Sequence, residues 1–274
     1  GPAAPVRSGM IVTDGIAVVP VTGPLVSRGD WLTALFGATA YGDLMEALDA
    51  AFYDPGVRAV LLEVDTPGGE VGGLFDLTAG VQALKAATGK PLWAVASENA
   101  LSAGYAIAGA ADRLYVTRTG EAGSIGVVAA HVDESAADAM DGFKWTLIHA
   151  GAGKTDGNPH EPLAPSATAA IQTDIDALYA DFVDLVAANR KLTPEAIRDM
   201  GAAIFRSRRA VDAGLADRIG NLSQAHADLL TELDAAPARI GARRPLAFQT
   251  TRSTPAMSSE PEPGDPNAAP ATDP

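Results

Sequence analysis

The sequence contains no cysteine. That excludes a disulfide framework, a thiol nucleophile and any metal site built on thiolates. Positive charge is also scarce, with 20 Lys and Arg against 34 Asp and Glu, a formal charge of −14. A broad nucleic-acid surface is excluded on that balance, because such binding neutralises phosphates with basic side chains. Lysine is restricted to Lys85, Lys90, Lys144, Lys154 and Lys191, so few residues compete for any role that needs an amine. No run of roughly 18 apolar residues occurs, so no membrane span is expected. No charged-then-apolar leader opens the chain, so no secretory signal is expected either.

What is present is ample apolar material: 47% of 274 residues are hydrophobic, enough to bury a sizeable core. Gly1-Pro2 has the form of a remnant of tag removal, and residues 1–14 read as a lead-in. From there strands and helices alternate. IAVVPVT (16–22), RAVLLEVD (58–65) and PLWAVAS (91–97) are continuous apolar runs, the pattern of strands covered on both faces. RLYVTR (113–118), GVVAAHV (126–132) and KWTLIHA (144–150) also read as strands. Helices are predicted over 39–53, 71–87, 101–111, 134–143, 166–190 and 222–233, with Ile171, Ile175, Leu178, Phe182 and Leu185 on one face of the long one. Thr193-Pro194-Glu195 is a helix start, since Thr caps and Pro suits the first helical position. The alternation predicts an α/β layered fold in one domain over residues 15–234. Residues 235–274 turn basic, then Pro-rich and acidic with few apolar side chains. Such a segment cannot offset its ordering entropy by burial and is expected to be a disordered linker or tail.

Four segments could carry chemistry. TPGGE (66–70) ends a strand in glycines, which leaves backbone amides free to meet an oxyanion or simply makes a turn. Ser102 opens a helix of small residues, where it is either a reactive hydroxyl at the positive end of the helix dipole or an N-cap. GSIG (123–126) places Ser124 between turn glycines, able to orient a base or only to turn the chain. Lys154 lies in a glycine-rich loop; a lysine acts as a base only when burial favours its neutral form, and most lysines are solvated surface groups. Gly153-Lys154-Thr155 resembles the end of a phosphate-binding loop, but Ile148 stands where its first glycine should, and Pro159 and Pro162 follow in place of a helix. His131, His149, His160 and His226 show no metal-ligand spacing, and Ala100 removes the Gly-x-Ser-x-Gly elbow around Ser102.

In order and spacing together, DTPGGEVGG, SENALSAGYAIAGAADRLYVT, GSIGVVAAHVD and KWTLIHAGAGKTDGNPHEPL resemble the signal peptide peptidase A family. The likeness is greatest to the branch that serves as phage and prophage capsid assembly proteases, and it runs from about Ile16 to about Leu230, including IFRSRRAVDAGLADRIG. The resemblance implies a serine endopeptidase in which Ser102 is the nucleophile, Lys154 the general base and Ser124 a hydroxyl bonded to that lysine. The amides of Gly69 and Ala103 would form the oxyanion hole, with no metal or organic cofactor. It implies the fold shared by the Clp protease subunit and crotonase, repeated β-β-α units with a C-terminal helical extension, assembled as a homo-oligomeric ring. The implied substrates are proteins: capsid scaffold, head proteins and the chain's own C-terminal region, cut within the procapsid in the host cytoplasm. Gly153 stands where many relatives carry histidine or another larger residue, and Gly104 where some carry alanine. The alternatives are a peptidase of signal peptides or membrane-protein fragments, a non-catalytic assembly module on the same fold, and a crotonase-like acyl-CoA enzyme.

Overall fold

Continuous apolar runs become the middle of a largely parallel sheet in the computed structural model, which describes residues 9–30 and 35–235. Residues 1–8 and the tail from 236 lie outside the described residues, and the expectation of a disordered tail with them. The chain opens with β1 (Ile11–Thr13), β2 (Ile16–Thr22), β3 (Leu25–Val26) and β4 (Thr39–Ala40), then α1 (Tyr41–Tyr53). Next come β5 (Ala59–Thr66), α2 (Leu74–Thr88), β6 (Leu92–Leu101), α3 (Ala103–Gly109), β7 (Arg113–Val116) and β8 (Glu121–Gly123). The C-terminal half holds α4 (Ser135–Asp141), α5 (Pro165–Arg190), α6 (Pro194–Asp199), β9 (Ile204–Arg206), α7 (Arg208–Asp212), β10 (Arg218–Ile219) and α8 (Leu222–Ala235).

The main sheet runs β1-β2-β5-β6-β7-β10, with β8 and β9 off that path. β2, β5, β6 and β7 are mutually parallel, and β1 pairs antiparallel to β2. β6 changes partner along its length: Trp93 to Ala96 pair with β7, and Asn99 to Leu101 pair with β8. The two faces of the sheet have separate cores. Val60, Leu62 and Val64 point into the larger one, with Leu44, Leu48 and Phe52 of α1, Leu77 and Val81 of α2 and all of α3 from Tyr105 to Ala108. Ala59, Leu61, Trp93 and Val95 face the other way, against Ala225 and Leu229 of α8. This period of two, buried on both sides, is why these strands are apolar throughout. Trp93 stacks on Tyr115 and carries the Arg113 guanidinium on its ring.

Of the long helix α5, Phe182, Val183 and Val186 are buried, whereas Ile171, Ile175 and Leu178 are only partly covered. Thr193 does cap α6, accepting the Ala196 amide at 3.1 Å, with Pro194 in the first helical position. Two expected strands are absent. Residues 126–132 and 144–150 form no ladder, and their apolar side chains point outward, Val128 being 90% and Ile148 96% exposed. A strand needs a free edge to pair with, and β8, which leads into the first of these segments, has both edges taken, by β6 and β9. Among the described residues no helix is long and apolar enough to cross a membrane.

Candidate active site

Ser102 sits where β6 turns into α3. Its backbone is at φ 51°, ψ −123°, a conformation that L side chains rarely adopt. Its hydroxyl makes no capping bond, so the residue is held at the helix mouth without serving as a side-chain cap. The turn is fixed by backbone: the Ser102 N–H donates to Gly123 O at 2.9 Å, and Ser102 O accepts from Tyr105 and Ala106. Every residue of α3 is buried. A Cβ on Gly104 would lie 2.3 Å from Thr66 Cγ2, so glycine here lets the helix press onto the end of β5.

The glycine turn after β5 lies directly against this corner. A Cβ on Gly68, itself at φ 101°, would stand 2.7 Å from Ser102 Cβ and 3.2 Å from the Ala103 nitrogen. Thr66, fully buried, organises the turn: its hydroxyl donates to Gly23 O and accepts from the Gly68 N–H at 3.0 Å. Leu25 clamps the other side, donating to Gly68 O at 2.9 Å and accepting from the Glu70 N–H at 2.9 Å. A Cβ on Gly69 would fall 1.9 Å from Leu25 O, so no side chain fits there. These bonds leave the Gly69 N–H without an acceptor among the described residues, and the same is true of Ala103 N–H in the first turn of α3. Two amides without an acceptor among the described residues thus lie near this corner, one on Ala103 next to Ser102 and one on Gly69, which follows the Gly68 packed on Ser102.

Glu70 ties the clamp from outside. Its carboxylate accepts the Ser27 N–H at 2.7 Å, and the Ser27 hydroxyl first and amide second hold its pKa below the ordinary glutamate value. Tyr41 donates its hydroxyl to Glu70 O at 2.5 Å; burial, then the Glu70 charge, push the Tyr41 pKa up to about 12.

Ser124 follows Gly123, the residue whose carbonyl holds Ser102, so the structure brings the two serines to one hydrogen-bonded corner. Ser124 is partly buried at φ 54°, and its N–H donates to Ala203 O at 3.0 Å. A Cβ on Gly123 would meet that same carbonyl at 2.6 Å. Of the expected site residues, Ser102, Ala103, Gly69 and Ser124 thus converge. Lys154 is exposed, in a run of turns where its N–H donates to Gly151 O at 3.2 Å. Among the described residues, no hydrogen bond or ion pair joins its amine to the other four. The histidines bond elsewhere: His131 to Asn158 O, His149 to Gly151 O, His160 to Asp138 and His226 to Thr13 O. None contacts the Ser102 hydroxyl.

Thr66, Leu25 and Ala203 were not singled out from the sequence. Leu25 and Ala203 act through their carbonyls or amides, which carry no residue-specific signal. Only Thr66, heading the TPGGE run, offered one.

The corner is contributed by β5, β6 and β8, and the model of peptidase family S49 matches residues 84–235, more than half the chain. The chain belongs to peptidase family S49. Among its relatives, this S49 member is 39% identical over 241 residues to the capsid assembly protease C of Escherichia phage lambda, covering 88% of this chain and 54% of that one. It is 38% identical over 224 residues to the head-tail preconnector protein GP5 of Enterobacteria phage P21, covering 82% of this chain and 44% of that protein. A third relative is the chloroplastic serine protease SPPA of Arabidopsis thaliana, 26% identical over 217 residues, covering 78% of this chain and 31% of the relative. The S49 chain spans about half the length of the two phage proteins.

Proposed function

We propose that the chain is a serine endopeptidase with a Ser–Lys dyad, acting in capsid assembly on scaffold and head proteins and on its own C-terminal region. The observation that carries this reading is the Ser102 corner: a hydroxyl with no capping role, on a strained turn, flanked by the unused amides of Gly69 and Ala103. In the proposed reaction Ser102 attacks a peptide carbonyl while Lys154, in its neutral form, takes the hydroxyl proton. The tetrahedral oxyanion is held by Gly69 N–H and Ala103 N–H, the protonated lysine delivers its proton to the leaving amine, and water then releases the acyl group by the same route. Ser124, one residue beyond the carbonyl that holds Ser102, is the hydroxyl we assign to orient the lysine.

Lys154 stands on an arm, residues 126–163, that exposes Val128, Val132, Met140, Phe143, Trp145 and Ile148. Apolar exposure of this kind marks an interaction surface. We infer that a homo-oligomeric ring covers the arm and completes the site, within a procapsid in the host cytoplasm. We take the peptidase domain as residues 15–234 and its fold as the Clp protease/crotonase type. The split pairing of β6 with β7 and β8, followed at once by Ser102, supports that assignment.

A second reading, a non-catalytic assembly module, draws on the same arm, because Lys154 has no contact with the Ser102 corner among the described residues. Intact-mass spectrometry of the purified chain beside Ser102→Ala and Lys154→Ala decides, with fluorescein-labelled casein added to all three. Loss of C-terminal mass, or casein cleavage, in the wild type alone is expected, with each variant slower by roughly 10⁴- to 10⁶-fold. Equal cleavage by all three would remove the dyad. No cleavage by any would favour the assembly module.

A further inference from the structure

The arm has no hydrophobic core: α4 buries none of its residues. It is nonetheless stitched by side chains at one place, residues 158–160. Asn158 Nδ2 donates to Thr155 O at 2.8 Å, and its Oδ1 accepts the His160 N–H at 3.0 Å. Its own carbonyl accepts His131 Nε2–H at 2.9 Å, and the next carbonyl, Pro159 O, accepts the Glu134 N–H at 2.7 Å. His160 is then gripped from two sides. Its Nδ1 meets Asp138 Oδ2 of α4 at 2.8 Å, both side chains being about one fifth exposed or less (21% and 17%). Its ring stacks on Trp145, centroids 4.0 Å apart at 14°.

Two features make this more than local packing. Thr155, held by Asn158, is the neighbour of Lys154, and the bonds Lys154 N–H to Gly151 O, Asp156 N–H to Gly153 O and Asn158 N–H to Thr155 O link the clasp to the lysine turn without a gap. His131 and Glu134, on the other side, belong to the segment that leaves Ser124. The clasp therefore joins the chain coming from Ser124 to the turn carrying Lys154.

We propose that Asn158 and His160 are positioning residues for Lys154, setting the turn that presents its amine through a clasp completed by Asp138 and Trp145. This rests on the Ser–Lys reading. A base displaced by about 1 Å costs on the order of 100-fold in rate without loss of substrate binding. The clasp should therefore act on turnover and not on affinity.

The test uses the full chain, fluorescein-labelled casein for kcat and KM, a fluorophosphonate probe for the rate of Ser102 labelling, and mass photometry for assembly. Asn158→Ala is expected to lower kcat and the labelling rate by roughly 10- to 100-fold, with KM within about twofold of wild type and assembly intact. Asn158→Asp keeps the acceptor for His160 N–H and loses the donor to Thr155 O, so it should fall between. His160→Ala should resemble Asn158→Ala, and His160→Phe, which keeps the stack on Trp145, should recover part of the loss. Wild-type kcat and labelling in both alanine variants, or a change confined to KM or assembly, would overturn the positioning role. Full activity of Lys154→Ala would instead remove the dyad, and this role with it. An inactive Lys154→Ala beside unaffected clasp variants would remove the clasp alone.

Discussion

The serine corner and the lysine arm are built in opposite ways. Around Ser102 three strand ends and a fully buried helix meet, and each close approach is made by a glycine that leaves no room for a Cβ: Gly68 on Ser102, Gly69 on Leu25, Gly104 on Thr66 and Gly123 on Ala203. Around Lys154 there is no core, several large apolar side chains face outward, and a handful of side-chain bonds near Asn158 supply the order. The difference teaches that the Ser102 turn, with the proposed nucleophile and the amides proposed as oxyanion donors, is set by the packed sheet of one chain, whereas Lys154, the proposed base, stands on a segment whose large apolar side chains face outward.

The sharpest way to break that contrast is at Gly69. Gly69→Ala forces a Cβ to within 1.9 Å of Leu25 O, so the turn must retreat and carry its amide away from Ser102. Turnover on casein should fall roughly 100- to 1000-fold, the cost of one oxyanion donor. Next comes a matched pair of truncations. Leu62→Ala, at a fully buried position, should cost about 2–5 kcal/mol by denaturant titration. Ile148→Ala, 96% exposed, should leave unfolding within about 0.5 kcal/mol and show itself in assembly. Equal costs would mean that the arm is packed as firmly as the sheet.

A smaller effect is expected at the seam between β5 and α3. Gly104→Ala places a methyl 2.3 Å from Thr66 Cγ2 and should cost about 1–3 kcal/mol. Thr66→Ser removes that methyl and keeps the hydroxyl that orders the glycine turn, so the double variant should regain most of the loss.

How much was legible follows the same division. The runs at 16–22, 58–65 and 91–97 were readable because a strand buried on both faces must be apolar at every position, and the helices of 41–53 and 74–88 because their buried residues recur at helical spacing. GVVAAHV and KWTLIHA carry the same kind of apolar signal, yet form no strands. Hydrophobicity states that a surface will be covered and is silent on whether a sheet of the same chain does the covering. β8, β9 and β10, of two or three residues, are too short to have a period at all. At the site, Ser102, Ser124 and the glycines were visible as residue types in special turns. The meeting of Ser124 with Ala203 O was not, since any residue supplies a carbonyl.

The smallest expected effect is electrostatic and lies on the serine side. Glu70 has its pKa lowered by the Ser27 hydroxyl and amide, so its hold on the loop is complete above the ordinary value of 4.5 and is lost as pH falls through the lower folded value. Hydrogen exchange at the Ser27 amide, corrected for intrinsic rates, should quicken below pH 4.5 in the wild type. The Glu70→Gln chain should show no such step.

The backbone of Ser102 has a consequence for the molecule as a whole. Glycine would adopt φ 51°, ψ −123° at little cost, whereas a serine held there forfeits something on the order of 1–3 kcal/mol. Ser207, at φ 48°, ψ −114° where β9 meets α7, carries the same burden with no proposed chemical role. On the proposed mechanism, thermostability and reactivity therefore pull in opposite directions at residue 102, while no role is proposed for residue 207. If Ser102 is the nucleophile proposed above, selection for a hardier protein alone would favour glycine there, and keeping the hydroxyl would run against the folding equilibrium.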